Sequence, residues 1–192
     1  MRKWKLVALG AALTAATAAG LAGVDVSANA QTATSGHASH PAAAQYDGPG
    51  SVAANIQVVR AFIQDVINEH HGDHAANYLT KNVQLYDGSA GTSSGSAAVA
   101  AILNGIVTAL PDIHTNVADI FGVGDEVVAR LSINGGIQRG PLLGIPASGR
   151  QVQWGGTDIY QLRGGKISAE WVSEDFTAIL YETGTYKAPW IH

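Results

Sequence analysis

Cysteine is absent from all 192 residues. That excludes a disulfide scaffold, thiol catalysis and a lipidated thiol, and leaves burial alone to hold the fold together. Charge is scarce as well, at 14% of residues, and acidic groups outnumber basic ones, 15 against 11. No basic cluster follows Lys5, so nothing offers a phosphate backbone its usual counter-charge, and nucleic acid is excluded as an expected partner. The chain also lacks a G-x-S-x-G elbow and a G-x-x-x-x-G-K-[ST] loop. Serine hydrolysis and P-loop phosphate binding therefore have no motif to rest on, and Ser148 reads as a turn residue.

The N-terminus has the order of an export signal. Arg2, Lys3 and Lys5 supply positive charge, Leu6 to Val24 is uncharged and rich in Ala, Leu, Gly and Thr, and Ala28-Asn29-Ala30 offers a small-residue cleavage site. Residues 1–30 thus read as a signal peptide cut before Gln31, and the expected location is secreted or extracytoplasmic. A retained membrane anchor is the weaker alternative, because Ala, Gly and Thr make the run only mildly apolar. Without Arg2, Lys3, Lys5 and Asp25, the remainder holds 8 basic and 14 acidic residues, a net charge of −6. Residues 31–50 have too few large apolar side chains to offset the entropy of ordering them and read as a flexible linker. Residues 51–192 are sufficient for one core.

Within that domain, Ile56, Val59, Phe62, Ile63, Val66 and Ile67 recur at helical spacing, predicting an amphipathic helix over Val52 to Asn68 that Gly72 closes. A short helix is expected around Asp73 to Leu79, an extended piece at Val83 to Tyr86, and a Gly/Ser-rich loop at Asp87 to Gly95. Ser96 to Leu110 predicts a third helix, ended by Pro111. The period then changes to that of strands. Val117 to Phe121 and Glu126 to Ile133 predict one hairpin, and Gly135 to Arg150 an irregular connection. Helices first and antiparallel strands later indicate an α+β domain, with helices covering one face of a curved sheet.

A second hairpin carries the most informative residue. Gly164-Gly165 suits a two-residue turn that needs positive φ angles, which pairs Arg163 with Lys166. Counting back without interruption sets Tyr160 opposite Ala169, Asp158 opposite Trp171 and Trp154 opposite Asp175. By period-two alternation Val152, Trp154, Asp158, Tyr160 and Leu162 share a face, with Gly156 leaving a gap beside the acid. A carboxylate among apolar neighbours is neutralised by a partner such as Arg130 or Arg150, caps a nearby backbone group, or sits in a pocket where desolvation raises its pKa toward the range useful for proton transfer.

The His70-His71-Gly72-Asp73-His74 cluster invites a metal assignment, yet its spacing is not that of H-x-x-x-H on one helical face. It reads as a solvated helix end, and no metal is expected. His37 and His40 fall in the linker and His192 at the terminus, where adventitious binding is the most their position supports.

Several segments together carry a resemblance: Leu110-Pro111-Asp112, Val127-Val128-Ala129-Arg130, the run from Arg139 through Gly144-Ile145-Pro146-Ala147-Ser148-Gly149-Arg150, then Asp158-Ile159-Tyr160 and Gly165-Lys166-Ile167. From about Asn55 to Gly184 the chain resembles the SnoaL-like polyketide cyclase (predicted ester cyclase) family of the NTF2-like superfamily. The resemblance implies a cone-shaped α+β barrel with a deep apolar cavity. It also implies ring closure of a polyketide ester by intramolecular aldol condensation, without metal or cofactor, and places the family's acid/base aspartate at Asp158. Tyr86 and Gln138 stand where many relatives carry histidine; with Trp154, Tyr160 and Trp171 they are the expected substrate-binding residues. By family habit a homodimer is the expected assembly. The same superfamily also implies two other functions for such a cavity: a non-catalytic carrier of an apolar ligand, or an isomerase or epoxide hydrolase using acidic residues.

Overall fold

Residues 48, 50–88, 90–187 and 189–190 are described in a computed structural model, and they belong to one compact unit, Ala42–His192. The export signal, nearly all of the linker, and His37, His40 and His192 lie outside the described residues. Among the described residues no helix is long and apolar enough to cross a membrane.

The first helix, α1 (Val52–Phe62), starts where Ser51 accepts a hydrogen bond from the Ala54 backbone N–H at 3.1 Å, satisfying one of the donors a helix start leaves open. Its Val59 and Phe62 are buried, and the helix continues as one widened π-helical stretch, Ile63–Asn68. Asn68 then pins the end, donating to the Thr115 carbonyl at 3.0 Å and accepting from the Thr115 N–H at 2.7 Å. A 3₁₀ turn (Gly72–His74) leads into the single-turn helix α2 (Ala75–Tyr78).

Six strands follow: β1 (Leu79–Asp87), β2 (Gly91–Ser94), β3 (His114–Val123), β4 (Glu126–Ile137), β5 (Gln151–Arg163) and β6 (Lys166–Val172). Helix α3 (Ser96–Ala109) separates β2 from β3, and α4 (Phe176–Glu182) closes the domain. The sheet order is β2-β1-β6-β5-β4-β3. The fold is α+β with a curved sheet that does not close. The consecutive strands β3 to β6 form an antiparallel meander, whereas β6 meets β1 in parallel, so the sheet is mixed rather than wholly antiparallel. That parallel ladder follows from the crossover: after the β1–β2 hairpin the chain returns through α3 to the far edge and works back until β6 reaches β1. Helix α1 packs on β3, β4 and β6, α3 on β1 and β2, and α4 on β5.

Where the structure departs from the sequence expectation, it does so by small backbone events. The Gly/Ser-rich loop after β1 contains the edge strand β2, paired Asp87 to Gly91 and onward. The β3–β4 turn shrinks to Gly124-Asp125 because both strands run further than their apolar cores suggest. Helix α4 was not expected; Asp175 caps it, accepting from the Ala178 N–H at 3.3 Å.

The decisive event is in β5–β6. Arg163 pairs with Lys166 across Gly164-Gly165, both at positive φ, as the turn chemistry requires. Leu162 then pairs with Ile167 but Gln161 with Ala169, so Ser168 is an extra residue and everything beyond it slips by one. Tyr160 faces Glu170 and Ile159 faces Trp171. The expected pairs Tyr160–Ala169, Asp158–Trp171 and Trp154–Asp175 are corrected accordingly, because a one-residue bulge reverses which face each later side chain occupies.

Past β6 the chain crosses close over β5 at Gly156, bridged to Glu174. A Cβ on Gly156 would stand 2.6 Å from Glu174 Cγ and 3.1 Å from both Glu174 Cα and the Ser173 carbonyl oxygen. The gap foreseen at Gly156 is thus filled by the stem of Glu174. Gly156→Ala is expected to destabilise the fold by about 1–3 kcal/mol through overpacking, while Gly88→Ala, with nothing within 4 Å of its added methyl, changes little. Urea unfolding of both variants measures the difference.

Candidate active site: carboxyl groups facing an apolar cavity

Between the helices and the sheet lies a cavity of about 350 Å³, the size of a small-molecule site. Its walls are mostly aliphatic. Ile102, Leu103 and Ile106 come from α3, Leu131 and Ile133 from β4, and Phe176 and Ile179 from α4. Into this surface project the carboxyl groups of Asp87, Asp158, Glu170 and Glu174, with Trp154 and Tyr160. Among the described residues lining it there is no lysine, arginine or histidine.

Three of the four acids arrive by strand alternation, and Glu174 by the chain crossing that follows β6. Leu85 and Asp87 face inward from β1, Trp154, Asp158 and Tyr160 from β5, and Glu170 and Val172 from β6. Asp158 is 2% exposed, and its Oδ1 accepts from the Ser173 backbone N–H at 3.1 Å. No ion pair reaches it among the described residues; neither Arg130 nor Arg150 neutralises it. Burial is the main cause that lifts its pKa from 3.8 to about 6, with the charge of Asp87 adding to it, while the Ser173 N–H and the Tyr160 hydroxyl favour the anion.

Glu174 is lifted from 4.5 to about 7 by burial and by the charge of Asp158, although the Trp154 Nε1–H donates to its Oε2 at 2.6 Å. Glu170 is raised well above the usual carboxylate range by burial, then by the charge of Asp158, against a favourable hydrogen bond from Tyr160. Burial likewise raises Tyr160 well above the ordinary phenol range, so it remains a proton donor. The result is Asp158 near 6 beside Glu170 and Glu174, which hold their protons to higher pH.

Of the residues expected from sequence, Asp158, Trp154 and Tyr160 line the cavity. Gln138 does not. It is fully buried one step behind the wall, its amide N–H groups directed at the carbonyls of Gly140, Ile145 and Pro146 at 3.1, 3.3 and 3.2 Å. Its Oε1 accepts from the Ser148 hydroxyl at 2.6 Å and the Ser148 N–H at 3.2 Å. Gln138 therefore organises the 139–150 loop, which supplies Pro141, Leu142 and Leu143 to the cavity.

Tyr86 and Trp171 are also corrected. They stack on each other at 5.3 Å and 17° on the face of the sheet opposite the cavity. The register carries this pair on through Ile159 and Val128 to Phe121, an apolar row across five adjacent strands. Glu170 and Glu174 were missed. The first was hidden by the Ser168 bulge, and the second lies beyond the regular strand. The one sequence signal for either was the glycine at position 156, whose missing side chain marks where another segment crosses.

A family model for SnoaL-like polyketide cyclases matches residues 57–182. The chain belongs to the SnoaL-like polyketide cyclase family. Among solved structures, a protein from Jannaschia sp. CCS1 described as a SnoaL-like polyketide cyclase is similar at 20% identity and TM-score 0.66, over 74% of this chain and 99% of that one. TsrD from Streptomyces laurentii is similar at 26% identity and TM-score 0.63, over 70% and 97%. An epoxide hydrolase of M. tuberculosis, described as LEH-like, shares the fold at 16% identity and TM-score 0.56, over 70% and 92%. No curated protein sequence matches.

Burying these acids makes the fold sensitive to alkali in an unusual direction. Because the folded pKa of Glu174 lies above its unfolded value, the folded protein holds the extra proton between about pH 4.5 and 7, and stability falls as pH rises through that window. Glu174→Gln keeps an acceptor for Trp154 and cannot ionise. Its urea stability relative to wild type is expected to rise by up to about 3 kcal/mol between pH 4.5 and 7.5.

Proposed function

We propose that this family member is an exported cyclase that closes a ring in a hydrophobic, carbonyl-bearing, polyketide-like small molecule, with Asp158 as general acid/base. The observation that carries this reading is Asp158 itself: a buried carboxyl with no cationic partner among the described residues, facing an apolar cavity and titrating near 6. At neutral pH it is an available base, and desolvation makes it a stronger one than a surface aspartate. It can remove a proton from a carbon between two carbonyls, whose enolate spreads the charge through the substrate. The enolate carbon then attacks a second carbonyl, and the resulting alkoxide takes a proton from Asp158 or from the still-protonated Glu174. Splitting two carboxyls by environment is how one site supplies both a base and an acid. Trp154 fixes Glu174 and Tyr160 hydrogen-bonds with Asp158, so both rotamers are held from outside the reacting atoms.

The same pair favours a second reading, hydration of an epoxide. Asp158 would activate the water and Glu174 would protonate the opening oxygen, and solvent ¹⁸O would enter the product. The third, a carrier that merely holds an apolar ligand, predicts that Asp158 sets affinity alone.

Small molecules that co-purify with the mature protein, identified by mass spectrometry, provide the assay substrate. Asp158→Asn retains the acceptor for the Ser173 N–H and is expected to fold. It should lower turnover by about 10²–10⁴-fold, with the acid limb of the wild-type pH profile near 6. Unchanged turnover sinks the proposal, and altered binding without any turnover in wild type supports the carrier.

Export and assembly belong to the same proposal. Protein recovered from the medium should begin at Gln31 by intact mass. It should be a dimer by light scattering, paired through the Phe121–Val128–Ile159–Trp171–Tyr86 row, and Trp171→Glu should be a monomer.

A further inference from the structure

The histidine cluster that sequence spacing sets aside is reassembled by the fold. Asp65 lies in the π-helical stretch that extends α1, and the chain then reverses at His70, whose φ of 62° is in the left-handed region. The His70 ring holds that reversal through its Nε2, 3.1 Å from the Ile113 carbonyl oxygen. The following 3₁₀ turn folds back over the helix, where Gly72 packs so close to α3 that an added Cβ would displace the exposed Asn104 side chain. His71 Nδ1 therefore arrives 2.8 Å from Asp65 Oδ1, and His74 Nδ1 lies 3.0 Å from the same oxygen and 3.2 Å from Oδ2.

We propose that Asp65, His71 and His74 form a binding site for a zinc-like divalent cation, separate from the cavity, that clamps the end of the first helix to the turn after it. One ligand atom from each residue lies within 4.8 Å of the other two. A tetrahedral zinc with bonds of about 2.0–2.1 Å sets its ligands about 3.3 Å apart. The hydrogen-bonded oxygen and nitrogens, at 2.8 and 3.0 Å, need to open by only a few tenths of an ångström to admit it.

Two imidazoles and one carboxylate suit zinc, with water completing the shell, and suit magnesium or calcium poorly. The outer support is present: the Tyr78 hydroxyl donates to Asp65 Oδ2 at 2.8 Å, which leaves Oδ1 for the metal and orients it. Glu69, with Oε2 3.7 Å from His71 Nδ1, adds negative charge at the rim. The side chains of His71 and His74 are 47% and 43% exposed, so a hydrated ion has access.

Binding is read by titration calorimetry of the full chain with zinc chloride, using His71→Ala/His74→Ala as the comparison. Both proteins keep His37, His40, His70, His114 and His192, so the difference isolates His71 and His74. One equivalent is expected in wild type, weakened at least tenfold in His71→Ala and lost in the double variant, and magnesium should give no heat. Zinc should also raise the melting temperature of wild type and not of the double variant, because only a cation bound to the folded state shifts unfolding. Equal zinc binding by both proteins would assign it to histidines outside the cluster and overturn the proposal; no binding by wild type overturns it as well. Circular dichroism of the double variant checks that its fold is intact.

Discussion

Everything distinctive about this domain follows from enclosing carboxyl groups in an aliphatic cavity without a basic side chain among the described lining residues. Desolvation penalises each anion, and each anion that forms penalises the next, so Asp158, Glu170 and Glu174 cannot all ionise near neutral pH. A lift of about two pKa units corresponds to roughly 3 kcal/mol withheld from the charged state. The fold tolerates this because protonation relieves it, and because Trp154, Tyr160 and the Ser173 N–H supply donors where an anion persists. The same unfavourable burial is what makes these groups useful for moving protons.

Two layers of support hold that arrangement. The nearer consists of rigid strand residues, with the Glu174 stem resting in the space left by Gly156 and the Trp154 indole lying over Gly135, where a Cβ would stand 2.8 Å from the ring. The farther is the Gln138 amide, which gathers carbonyls from the 139–150 loop and sets the residues that line the cavity there. Gln138 is a neutral hub, and among the described residues lining the cavity the titrating groups are all acidic.

Much of this was legible beforehand. The alternation of Val152, Trp154, Asp158, Tyr160 and Leu162 placed all five on one face, and the period of the first and third helices gave their extent to within a residue or two. The glycine pair at 164–165 fixed the last hairpin's turn. What failed was counting beyond that turn: Ser168 carries no signal of being extra, yet it exchanges Glu170 for Trp171 as the inward residue. The meeting of the histidines with Asp65 was illegible for a related reason: their spacing was read at a helix end, and it does not show that the reversal at His70 brings His71 and His74 back to that carboxylate.

The amino-acid sequence by itself determined most of the elements, the last hairpin's turn, the family and the one acid whose apolar company needed explaining, because these depend on side-chain period, local backbone preference and short motifs. Only the tertiary structure decided which acids accompany Asp158, where Tyr86, Gln138 and Trp171 point, and that Asp65 meets two histidines. Those outcomes turn on a single bulge, a chain crossing and a reversal, each set by packing between segments distant in sequence, and no local pattern encodes them.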